Sequence, residues 1–255
     1  MTAVTHQLRF DWLDVARDRQ ARFFALAMPV GFLFIFCTIF GNATLLIGGH
    51  LIRESTYYVA AVTTYGIADV AFITFVVSTV EARESGLLRR RQATPQPAWA
   101  IVASRTIVGL SSGAAIAVLL LAIGRAVYGA SVPLAALVPL AVAVMVGCAS
   151  FVCLGFAVST LARSNQAAQP VALALSMPLF FISGVFVPWT DIPSWLRRVA
   201  DIFPVRNEAL ALLNPFTRSG GGPAWSATNL LVVAAWGLAG LVVALRRFRW
   251  APQDV

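Results

Sequence analysis

The chain contains no lysine, although it is strongly basic. All 19 of its cationic side chains are arginine, set against 11 acidic ones, for a formal net charge of +8. A Walker A loop needs the lysine of GxxxxGK(S/T) to reach the phosphates of a nucleotide, so this chain cannot build one. Charge of either sign is scarce, at 12% of residues against 59% hydrophobic. Histidine is almost absent, with His6 near the start and His50 just after the first apolar run. The three cysteines, Cys37, Cys148 and Cys153, all lie inside apolar runs. Their spacing matches neither a CxxC pair nor a zinc arrangement, and they read as small polarizable core residues. No metal or cofactor site is therefore expected in this chain. A cleavable leader has a basic start, a short apolar core and a small-residue cleavage site, and no such pattern precedes the first apolar run.

What the chain has instead is apolar length. Its mean hydropathy is +0.79, and a helix needs about 20 mostly apolar residues to cross the hydrocarbon core. Six such runs occur, near 24–47, 57–80, 100–123, 132–160, 166–187 and 226–245. The fourth exceeds one level span and is expected to tilt. Pro139 and Pro178 fall inside runs, where neighbouring helices tolerate such breaks. The reading is an all-α polytopic membrane protein: one transmembrane domain over residues 1–255 with six spans. If the N-terminus is inside, most arginines fall on the cytoplasmic side, among them Arg9, Arg17, Arg19, Arg22, Arg83, Arg246 and Arg247. That bias places both termini in the cytoplasm. The high pI then reflects topology, and no nucleic-acid partner is expected, because no soluble domain offers a basic face.

Three polar or amphipathic segments interrupt the apolar runs. The densest is Glu81-Ala-Arg-Glu84-Ser-Gly86-Leu-Leu-Arg89-Arg90-Arg91-Gln-Ala-Thr94-Pro95, with six charges within 81–91. Glu81 and Glu84 precede Arg89, Arg90 and Arg91, an order that suits a short helix, and Pro95 and Pro97 close it. A charged helix at the water edge is something another protein can grip. Before the first span, residues 7–22 place Leu8, Trp12, Val15 and Ala16 on one helical face, which predicts a helix within 1–23 lying in the interface. Between the fifth and sixth spans, Ser183, Gly184 and Pro188 break the chain. Asp191 and Pro193 then start a short helix whose Trp195, Leu196, Val199 and Ile202 form a stripe. A second apolar segment follows at 205–213, giving an outer re-entrant hairpin over 188–215 with Trp189 and Trp195 at headgroup depth.

Two chemical readings compete with a purely mechanical one. Gly109-Leu-Ser111-Ser-Gly113 matches GxSxG, but a nucleophile elbow requires a strand-to-helix turn, and these residues sit in an apolar helix, where small residues serve close packing. Asp69 is the stronger candidate. It lies about midway along the second span, about 16 Å from its inner end at 1.5 Å per residue. A carboxylate at that depth is a functional candidate by default, so a proton-coupled secondary transporter using Asp69 is the alternative. Hydrogen bonding of Asp69 to nearby hydroxyls is the structural one. Arg105, about one turn into the third span, is expected to snorkel to the interface.

Taken together, Glu81-x-x-Glu84-x-Gly86 with Thr94-Pro95, and Phe181-x-Ser-Gly-x-Phe-x-Pro188 followed by Pro193-x-Trp195, resemble the permease subunit of ABC-2 type exporters, with drug-resistance permeases most similar. The resemblance covers nearly the whole chain. It implies a permease of the bacterial plasma membrane that is not itself an enzyme and exports amphipathic drugs or lipid-like molecules. Segment 81–97 would be the coupling helix, with Glu81, Glu84, Gly86, Arg89, Arg90, Thr94 and Pro95 at the contact. It would dock on an ABC ATPase subunit, present in two copies, that carries the ATP and Mg. A second permease, identical or paralogous, would complete the pathway amid membrane lipid.

Overall fold

The computed structural model describes residue 12 and residues 19–41, 43–47, 50–85, 98–162, 164–217 and 225–247. Almost all of the described chain is helical. α1 (Arg19–Phe40) is followed by a two-stranded antiparallel hairpin, β1 (Thr44–Ile47) and β2 (His50–Arg53), paired from Thr44↔Arg53 to Ile47↔His50. α2 is continuous over Glu54–Glu84 and contains a π-helical turn at Asp69–Thr74. α3 (Ala98–Tyr128), α4 (Leu137–Ser159) and α5 (Asn165–Ile182) follow. The short α6 (Ser194–Ala200) and α7 (Pro204–Thr217) lead to α8 (Ala227–Arg247). This is the expected all-α polytopic membrane protein.

Five of these helices are long and apolar enough to cross a membrane: α1, α2, α3, α4 with its preceding 3-10 turn, and α8. The fifth expected run is present as α5, but it has only 18 residues, opens with Asn165 and Gln166, and carries Pro170 and Pro178. At 1.5 Å per residue it covers about 27 Å, close to the thickness of the hydrocarbon core. The first run, expected to continue to 47, ends its helix at Phe40. A Cβ at Gly41 would collide with the Cys37 carbonyl, and the apolar residues beyond it, Thr44–Ile47, pair as a strand. The expected interfacial helix at 7–22 lies outside the described residues, apart from Trp12, which is exposed, and the first residues of α1.

α2 is the centre of the bundle. It touches α1, α3, α4, α5 and α7, and its apolar stretch is 83% buried inside the protein, against 17% for α1 and 22% for α8. The outer helices turn their remaining apolar surface to lipid, as exposed Phe23, Ile39, Leu231 and Leu245 show. Lipid is as apolar as leucine, so helices here associate through close fit more than through hydrophobic burial. The α4–α8 contact is built that way. A Cβ on Gly240 would lie 2.9 Å from the Leu154 backbone nitrogen, and Ser150 Oγ donates to the Val233 carbonyl across the same seam at 2.7 Å. The GxSxG match proves to be helix packing too. Ser111 Oγ donates to the Ile107 carbonyl of its own helix at 2.6 Å, and Gly113 makes room for Cys148.

Gly240→Leu is expected to prise α8 from α4 and cost about 1–3 kcal/mol of stability, the usual penalty of overpacking. Leu238→Ala, at a position exposed on the other face, serves as the control. Thermal unfolding in detergent should show a lowered midpoint for the first variant and little change for the second.

Candidate functional site

At one end of the bundle, α2 finishes in Glu81-Ala-Arg-Glu. Glu81 and Glu84 are exposed, whereas Arg83 between them is only 2% exposed. Arg83 points into the bundle because two backbone carbonyls need a donor there. α4 ends at Ser159, and its last carbonyls have no partner in their own helix. The Arg83 guanidinium donates through Nη1 to the Ser159 carbonyl at 3.0 Å and through Nη2 to the Ala162 carbonyl. Glu84 Oε2 accepts from the Asn165 backbone N–H at 2.6 Å, at the start of α5, where Ser164 Oγ also accepts from Ala167 N–H. The anion thus sits at a helix N-terminus, where the dipole favours it. Gly86, Arg89, Arg90, Thr94 and Pro95, the rest of the expected coupling contact, lie outside the described residues. Arg105 does more than reach for the interface: its Nη1 donates to the Ser78 carbonyl at 3.2 Å and to Thr79 Oγ1 at 3.3 Å, tying α3 to α2.

Asp69 stands midway between Glu54 and Glu84, at the first residue of the π-helical turn. Such turns are concentrated at functional sites. The nearby hydroxyls expected as possible partners are used within the helix, with Thr63 Oγ1 donating to the Val59 carbonyl and Thr64 Oγ1 to the Ala60 carbonyl. Among the described residues, no hydrogen bond reaches the Asp69 carboxylate. One turn away, Tyr65 joins an aromatic column between α1, α2 and the end of α5. Its ring centroid lies 5.2 Å from Phe32, 5.2 Å from Phe180 and 5.6 Å from Phe186. Phe36 stacks on Tyr58 at 5.0 Å further along.

At the opposite end, the break after α5 is pinned to α2. Gly184 adopts φ +85, a left-handed conformation that glycine takes without strain, and its carbonyl accepts a hydrogen bond from the Tyr57 hydroxyl. Ser183 is buried beside it. Pro188 leads into a 3-10 turn at Trp189–Asp191, and the Trp189 ring meets Tyr57 edge-on at 5.8 Å. Gly184 and Trp189 therefore meet the start of α2 at Tyr57, with Ser183 and Pro188 in the break between α5 and the 3-10 turn. Pro193 and Trp195 do not join them. Pro193 caps α6, and Trp195 and Ile202 project outward at 64% and 62% exposure.

α7 occupies the second apolar segment expected at 205–213. What that reading missed is its polar side: Arg206, Asn207 and Glu208 are all buried within it. Arg206 pairs with Asp201 at 2.5 Å and lies over the Trp189 ring at 5.0 Å. Asn207 Nδ2 donates to the Asp201 and Phe203 carbonyls, both at 2.8 Å, closing the end of α6. Glu208 is fully buried, and neither carboxyl oxygen has a hydrogen-bond partner among the described residues. It lies directly over Gly147 of α4, where any Cβ would collide with the carboxyl. Three adjacent polar residues carried a possible signal, which averaging over an apolar window erases.

Burial raises the Glu208 carboxyl from its ordinary 4.5 to about 8. Across that interval the folded protein holds a proton that the unfolded chain has released, so stability falls as pH rises and levels off above about 8. Glu208→Gln keeps the shape without the proton and removes this component. Thermal unfolding at about pH 5 and about pH 8 should show a smaller loss between the two in the variant than in the wild type.

Comparison with known proteins bears on what these sites serve. The family model described as ABC-2 type transporter matches residues 3–207. A stretch of 150 residues is 28% identical to a probable multidrug ABC transporter permease, YbhR, of Escherichia coli K12, and the same protein of Escherichia coli O157:H7 matches equally. That match covers 58% of this chain and 39% of the relative's length. A family match over most of the chain, on a polytopic helical bundle with a charged segment at the end of its central helix, makes this protein a member of the ABC-2 type transporter family.

Proposed function

We propose that the chain is the permease subunit of an ATP-driven exporter in a bacterial plasma membrane, with both termini cytoplasmic, moving amphipathic drugs or lipid-like molecules outward. The observation that carries this reading is the end of α2. The most buried helix of the bundle emerges directly into the charged segment 81–97, so a push on that segment reaches the core. A chain without lysine has no Walker A loop, and the force comes from a separate ATPase, two copies per transporter, which binds the ATP and Mg. A second permease, identical or paralogous, completes the path. The multidrug description of the Escherichia coli relative supports the cargo class.

In this reading Asp69 and the aromatic column beside Tyr65 face the route of the cargo. The carboxylate would meet a cationic group, and the rings would accept an apolar body. The unpartnered Asp69 carboxylate also favours a second reading, proton-coupled transport by this chain alone. The two separate in proteoliposomes. Purified alone, the chain should hydrolyse no ATP; with the Walker-motif ATPase that co-purifies with it, it should move ethidium, a lipophilic aromatic cation, only when ATP is supplied. ATP-independent uptake driven by a proton gradient would overturn the exporter reading in favour of the second.

Orientation is tested independently. In a background lacking Cys37, Cys148 and Cys153, single cysteines at Ser85 and Ser194, both exposed, should react with an impermeant thiol reagent from opposite sides. Position 85 should label from the cytoplasm and position 194 from outside. Labelling of both from one side would reverse the assignment of the hairpin to the outer face.

A further inference from the structure

We propose that Arg83 is a positioning residue that, with Glu84, locks the charged end of α2 to the α4–α5 connection, so that the two cytoplasmic segments of the permease move as one body. The inference rests on the exporter reading and adds to it a transmission path inside the chain. The geometry is specific. Two adjacent residues reach in different directions: the guanidinium caps the carbonyl end of α4 at Ser159 and Ala162, and the carboxylate caps the amide end of α5 at Asn165. One dipeptide thus closes both sides of the connection. A cation at a helix C-terminus and an anion at a helix N-terminus each match the local dipole, and charge-assisted bonds of this kind are about twice as strong as neutral ones.

Arginine suits this place for a physical reason. Its planar fork offers several N–H groups in fixed directions, so it can serve two carbonyls at once, whereas a lysine ammonium acts as a compact point charge. Buried at 2% exposure, Arg83 is also out of reach of a docking protein. Glu84 commits one carboxylate oxygen within the chain. Packing alone already joins α2 to α4 and α5, but at the water edge only the lock fixes the α4–α5 connection to the end of α2. With it, a push on the segment after α2 reaches that connection without slack.

Two spin labels read the lock directly. In the Cys-free background, labels at Ser85 and Leu161, both exposed, are placed in the assembled transporter with its ATPase. Their separation should be narrow and unchanged between the nucleotide-free and the ATP–vanadate-trapped states. In Arg83→Met the distribution should broaden, and ethidium exported per ATP hydrolysed should fall at least tenfold while the bound amount of ATPase stays constant. Arg83→Lys should recover part of the coupling. A wild-type separation that shifts by more than about 5 Å on trapping, or an Arg83→Met transporter with unchanged export per ATP, would overturn the proposal. Should Arg83→Met fail to fold, cysteines at Ser85 and Leu161, joined by a bis-thiol linker matched to their measured separation, decide the matter. Full export by the linked protein upholds the lock, and arrested export refutes it. Failure of the wild type to export with any ATPase would instead strike the exporter reading, which keeps the two failures distinct.

Discussion

A backbone carbonyl that loses its helix partner away from water must find a donor in the protein itself, and the architecture of this protein turns on how it meets that demand. Three of the breaks among the described helices, after α4, α5 and α6, are closed by side chains from elsewhere. Arg83 serves the end of α4, the Tyr57 hydroxyl serves Gly184 after α5, Asn207 serves the end of α6, and Trp236 Nε1 on α8 donates to the Ile202 carbonyl at 2.7 Å. The donors come from α2, α7 and α8, so the breaks are fastened to the body of the bundle. A connection that would otherwise fray becomes a joint with defined geometry.

The placement of those joints divides the labour along α2. Its start holds the hairpin through Tyr57 and Trp189, its end holds the α4–α5 connection through Arg83 and Glu84, and Asp69 lies between them. The hairpin, the α4–α5 connection and Asp69 therefore all bear on one helix. The surrounding helices provide close-fitting walls, with small residues at the α4–α8 seam, and turn their large apolar residues to lipid.

Run length and hydropathy made the helical class and the approximate spans readable, because the bilayer imposes a minimum apolar length that few soluble folds imitate. The same signal failed wherever backbone geometry mattered more than polarity. Thr44–Ile47 is as apolar as the helix before it, so only the glycine at 41 marked where the helix stops. The π-turn at Asp69–Thr74 leaves no mark on periodicity that a short window reveals. Arg83 was grouped with the arginines of its polar island, though its partners lie some 76 residues away in sequence, a distance no local pattern spans. Glu208 was hidden in a segment whose average is apolar. Asp69, by contrast, stood out at once, since a lone carboxylate in an apolar run has no local explanation.

The π-turn gives α2 a property that a plain α-helix of the same length lacks. It stores one surplus residue within an unbroken column. Release of that residue into regular α-helix would advance the half beyond it by about 1.5 Å and swivel it by about 100° relative to the half before. The helix can therefore act as a screw thread: its two ends can change their angular phase without any hydrogen-bonded break opening between them.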